Sequence, residues 1–134
     1  MSADVLVHLH GLAVLACGPD GPALDGERAA LDLIGEAYGQ HADVVAVPVR
    51  RLPDDFFTLR TGLAGALVQK FVNYQLRLAV VGDITAHVAR SDALRDFVRE
   101  ANRGVQVWFV PSMGDLTQRL ARQADPGPAG SPGR

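Results

Sequence analysis

The sequence has a single cysteine, Cys17, so no disulfide can form within the chain. That suits a reducing compartment, and the cytoplasm is the expected location. Lysine is nearly absent: Lys70 stands alone among thirteen basic residues, and fifteen acids leave a net charge of −2. With no basic surplus and no Lys/Arg block, neither nucleic acid nor a lipid surface is an expected partner. No apolar run reaches the roughly 18 residues that a membrane helix needs. The opening MSADVLVHLHG has neither the basic region nor the long apolar region of a secretory signal. Catalytic motifs are missing too. There is no G-x-S-x-G elbow, and GPDGPALDG lacks the G-K-[ST] of a phosphate-binding loop. No G-x-G-x-x-G follows a strand. These gaps remove the common hydrolase and nucleotide-site readings, and no catalytic residue, metal or cofactor is expected.

What is present is a well-patterned chain. Its 134 residues are 48% hydrophobic and 21% charged, enough for one buried core. VLVHLHG (5–11) alternates, with Val5, Val7 and Leu9 opposite Leu6, His8 and His10, as in a half-buried strand. LAVLAC (12–17) follows Gly11 and completes a hairpin. After a turn-rich segment, Asp25 is placed to cap a helix carrying Ala30, Leu31, Ile34, Ala37 and Tyr38 on one face, with Gly39 to end it. VVAVPV (44–49) reads as a strand covered on both faces, with Pro48 near its end. A loop then leads to a helix from about Thr61 to Tyr74, a strand over 76–83, and a helix capped by Ser91 and stopped by Gly104. A fifth strand (105–110) and a last helix opened by the Ser112/Asp115 capping box complete the order ββαβαβαβα. The expected fold is a single α/β domain over residues 1–123. Its five-stranded sheet is mostly parallel, with an antiparallel hairpin at the N-terminus. Residues 124–134, rich in Pro and Gly, are expected to be disordered.

The stretch DDFFTLRTGLAGALVQKFVNY (54–74) is the most distinctive. Leu63, Leu67 and Phe71 stack at i+4 spacing, with Ala64, Val68 and Val72 widening the face, so its body is a core helix. Its entrance holds Asp54, Asp55, Arg60, Thr61 and Gly62, a polar set that packing alone does not require. Thr61 is either a helix cap or a regulated, ligand-contacting hydroxyl. Gly62, Gly65 and Ala66 either let the helix lie close to the sheet or present backbone to an anion. Asp83 ends a buried strand, where it either caps a turn or faces a ligand beyond the strand ends. Asp54 and Asp55 are either solvated loop acids or a Mg²⁺ pair. His8 and His10 have a spacing that can chelate zinc, yet no third ligand is near in sequence, and a polar strand face is the simpler reading. Trp108 is either core or part of a partner surface.

DDFFTLRTGLAGALVQKFVNYQLRLAVVGD together with SDALRDFVREANRGVQVWFVPS resembles the uncharacterised bacterial family called domain of unknown function 4180, over residues 3 to about 121. The most specific blocks are Phe56-Phe57, Thr61 to Gly65, Gln69 to Tyr74, Val81-Gly82-Asp83 and Asn102-Arg103-Gly104. The order of elements also resembles the STAS domain of anti-sigma-factor antagonists. There a Ser or Thr beside Gly opens the helix after the third strand, and its phosphorylation releases a protein partner. Thr61-Gly62-Leu63 occupies that place, though Leu59 and Arg60 stand where STAS domains carry an Asp. The resemblance implies a non-enzymatic regulatory module with a protein partner, switched at Thr61. The alternative is a small-molecule binder or minor enzyme using Asp54, Asp55, Thr61 and Asp83. A homo-oligomer is compatible with either.

Overall fold

The computed structural model describes residues 4–124. The tail expected to be disordered lies, beyond residue 124, outside these residues. The first two strands, β1 (Val5–Leu9) and β2 (Leu12–Ala16), pair antiparallel with Leu9 opposite Leu12. The two residues between them, His10 and Gly11, both take positive φ, at 52° and 83°. This is the geometry of a tight hairpin whose turn matches the strand twist. It also corrects the strand read over 5–11: His10 belongs to the turn, so His8 and His10 do not share a strand face.

Helix α1 (Glu27–Gly39) leads to β3 (Val44–Pro48), which is parallel to β2. Gly26 occupies the N-cap of α1 with no side-chain cap, so Asp25 does not play that part. Gly39 is the last helical residue, and the left-handed turn beyond it is made by His41 at φ 58°. A 3-10 turn at Val49–Arg51, a single helical turn α2 (Asp54–Phe57) and a second 3-10 turn at Leu59–Thr61 carry the chain to α3 (Leu63–Asn73). Strand β4 (Arg77–Val81), short helix α4 (Thr85–Ala89), helix α5 (Asp92–Arg103), strand β5 (Val107–Val110) and helix α6 (Met113–Ala124) follow. The expected caps appear here: Ser91 accepts from the amide of Leu94, and Ser112 accepts from the amide of Asp115.

The sheet runs β1-β2-β3-β4-β5, parallel from β2 onward. Crossovers of one hand in sequential order place α1, α3 and α5 on one face. Leu15, Val45, Val47, Val80 and Phe109 meet Ile34, Phe56, Leu67, Phe71 and Leu94 there. The intervening strand residues Val14, Val44, Ala46, Ala79, Trp108 and Val110 face the other way, onto Leu116 and Leu120 of α6. Trp108 is therefore core. Its indole Nε1 donates to the carbonyl of Gly104 at 2.8 Å, and the Arg119 guanidinium lies 4.8 Å from its ring centre. Lys70, the lone lysine, ties α3 to α1 through Glu27 at 3.7 Å. No helix among the described residues is long and apolar enough to cross a membrane.

Candidate functional site

The polar entrance to α3 is built on two buried rings. Phe56 and Phe57 close the top of the core, edge to face at 5.1 Å, and pin the single turn of α2. With those rings turned inward, Asp54 and Asp55 are left exposed in the first turn of α2, where acids suit the helix dipole. Thr61 is exposed, and its hydroxyl is used twice: it donates to the carbonyl of Asp55 at 2.7 Å and accepts from the amide of Leu63 at 3.2 Å. Thr61 thus sits one residue before the helix cap, which is Gly62 at φ 82°. The left-handed turn there explains the glycine. Gly62, Gly65 and Ala66 are exposed, and a Cβ on either glycine would meet nothing within 4 Å. These small residues do not bring the helix close to the sheet; they line its solvent face, opposite Ala64, Leu67 and Phe71.

Asp83 lies apart from this entrance, beyond the carboxyl end of β4. Gly82 makes the exit possible: its φ is 142°, and a Cβ would come 2.7 Å from Val49 Cγ2. The exposed Asp83 carboxylate accepts from the Thr85 amide at 2.9 Å and from the Thr85 hydroxyl. The hydroxyl first, and the amide second, hold its pKa below the ordinary aspartate value. Asp83 therefore fixes the turn into α4.

Two clefts open at this end of the sheet, one on either side of α4. The first, of about 390 Å³, lies beyond β4 and β5. Ile84, Val88, Val98, Phe109 and Pro111 give it apolar walls, with Arg95 and Arg99 of α5 at its rim. Asp83 and Thr85 line it. Arg95 and Arg99 each pair with the acid three residues earlier, Asp92 at 2.6 Å and Asp96 at 3.5 Å. Exposed pairs of this type are weak and are easily exchanged for a ligand. The second cleft, of about 520 Å³, is polar and includes Asp54, Thr58, Arg60, His87, Arg90 and Ser91. The structure thus brings Asp54 and Arg60 together in one cleft, puts Asp83 in the other, and leaves Asp55, Thr61 and Gly62 outside the lining of both. No group of three potential metal ligands occurs among the described residues.

One buried polar cluster has no counterpart in the sequence reading. Arg51, 5% exposed, reaches Asp4 at 3.4 Å and donates through Nε to the carbonyl of Pro22 at 3.0 Å. Asp4 in turn accepts from the amide of Gly18 at 2.8 Å. The guanidinium lies against Gly21, where a Cβ would fall 2.5 Å from Cζ. Together these groups clamp the loop after β2. Burial, then the Asp4 carboxylate, push the neighbouring Cys17 thiol up to about 12. Glu36 is also raised, by burial first and then by Asp4. Its only sequence signal is a pair of adjacent arginines in an otherwise apolar segment.

No curated protein and no solved structure matches the chain. A family model matches residues 9–120, which span both clefts, the α3 entrance and most of the core. The chain belongs to the family described as Domain of unknown function (DUF4180).

Proposed function

We propose that this protein is a non-catalytic binding module that holds a small amphipathic monocarboxylate in the cleft beyond β4 and β5. The observation that carries the reading is the cleft itself: apolar walls with two arginines at the rim, at the carboxyl ends of parallel strands. Ligands of open α/β sheets gather in that place. Its volume of about 390 Å³ falls within the range of small-molecule sites. Val98 and Phe109 would cover an apolar body, and Arg95 and Arg99 would each exchange its neighbouring acid for an oxygen of the ligand carboxylate. A binding role is favoured over catalysis by the state of the polar groups. Asp83 is a weakened base, and its proton-donating neighbour Thr85 is already committed to it. Calorimetry with 4-phenylbutyrate tests this. Arg95→Ala and Arg99→Ala should each weaken binding by about tenfold, the loss of one charge-assisted hydrogen bond. Unchanged affinity in both variants contradicts the reading.

A second reading follows from α3. The exposed Thr61 and Gly62 lead into it, and its solvent face carries Gly65 and Ala66, leaving room for a partner backbone. In this STAS-like regulatory reading a protein partner docks on that face. Phosphorylation of Thr61, beside the helix N-terminus, adds charge and releases it. Intact-mass analysis of protein from its native cells should then find a stoichiometric phosphate, mapped to Thr61, in one physiological state. Thr61 that stays unmodified in every growth state opposes it.

A further inference from the structure

We propose that the second cleft, between the α2–α3 linker and the α4–α5 corner, binds the phosphoryl group of a phosphate ester. The first support is uncompensated charge. Arg50, Arg51, Arg95, Arg99 and Arg103 each have an acidic partner within 4.0 Å, whereas Arg60 and Arg90 have none among the described residues. Arg28, Arg77, Arg119 and Arg122 also lack one among the described residues, and Arg60 and Arg90 are the two that line this one cleft of about 520 Å³. The contrast with the apolar cleft, whose arginines are both paired, argues for a compact and strongly charged ligand here.

The second support is how the basic groups are held. The His87 imidazole stacks on the buried Phe57 ring, 4.0 Å between centres and 12° between planes. Stacking fixes the imidazole edge, and Nδ1 lies 3.5 Å from Arg90 Nη2. The imidazole and Arg90 thus form one preorganised corner, and Arg60, from the 3-10 turn before α3, lines the same cleft. Planar guanidinium forks match phosphate oxygens with two parallel hydrogen bonds.

The hydroxyls sort themselves by their partners. Thr58 spends its proton on the carbonyl of Asp54 at 3.2 Å. Ser91 accepts from the amide of Leu94 at 3.1 Å, so its own proton remains free to donate into the cleft. The helix start behind Ser91 is already capped, and recognition therefore rests on side chains. Asp54 is the one carboxylate lining the cleft. It would repel a second anionic group and accept from a hydroxyl of the esterified alcohol. That makes a sugar or polyol phosphate a better ligand than bare phosphate.

Calorimetry at low ionic strength tests this with ribose 5-phosphate and inorganic phosphate. The expected result is saturable binding of ribose 5-phosphate, weakened about tenfold or more in Arg60→Ala and in Arg90→Ala. Arg28→Ala, a substitution on α1 away from the cleft, should leave it unchanged. Tighter binding of the sugar ester, lost in Asp54→Ala, identifies an ester site. Equal affinity for the two probes retains the phosphoryl site and assigns it to free phosphate. No saturable binding below about 10 mM, or an equal loss in Arg28→Ala, overturns the proposal. The apolar cleft plays no part in this measurement, so either site can fail without the other.

Discussion

Cys17 shows how far a single residue departs from its free behaviour. Its thiol points to the carbonyl of Leu15 at 3.9 Å, and burial beside Asp4 pushes its pKa to about 12. Only the thiolate reacts quickly with disulfide reagents. The folded protein at pH 8 should therefore react with an aromatic disulfide at least about two orders of magnitude more slowly than the unfolded chain. Comparable rates would mean that the thiol is not held as described. The same shift has a stability consequence. Above the ordinary value of 9.0 the unfolded chain loses a proton that the folded chain keeps. Stability therefore falls as pH climbs from 9.0 toward about 12, and Cys17→Ala should lessen that slope. The surroundings that set this shift were not legible in the sequence, because Asp4, which adds to it, and Arg51, which opposes it, are brought together from 47 positions apart. A buried pair of that kind leaves no local pattern; it is created where the 3-10 turn after β3 and the residue before β1 meet against the loop that follows β2.

The elements themselves were mostly legible. Alternation in β1, short apolar runs in the other strands and period-3.6 faces placed all five strands and the four long helices, and the Ser91 and Ser112 caps fell as expected. The one-turn helices α2 and α4 were not, since four or five residues are too short to display a helical period. Phe56 and Phe57 carried the missing signal: two adjacent rings in a polar loop had to be buried somewhere. The start of α3 moved from Thr61 to Leu63 because a left-handed Gly62 and a 3-10 turn intervene. Gly65 separates two accounts of that helix. Close packing on the sheet would make a side chain there costly. An exposed position with open space predicts the reverse: Gly65→Ala should stabilise the protein by about 0.5–1 kcal/mol in denaturant unfolding, through helix propensity alone. A loss of stability would put the helix back against the sheet.

At the scale of the whole molecule, the sequential strand order decides where function can lie. Three helices cover one face, α6 covers the other, and the loops after β4 and β5 open beyond the strand ends. The sequence placed Asp83 at such an end, which was correct. It could not show that Thr85 would occupy the carboxylate, nor that Asp83 and Asp54 would fall in different clefts on either side of α4. Each cleft draws its lining from segments far apart in the chain, so no motif could have announced either. The central claim is that the apolar cleft beyond β4 and β5 is a ligand site, and the most direct test is an amide NMR titration with 4-phenylbutyrate. The account predicts saturable shifts concentrated at Gly82, Asp83, Ile84, Val98 and Val110, strongly reduced in an Arg95→Glu/Arg99→Glu variant. Shifts that do not saturate, or that gather away from these residues, would contradict it.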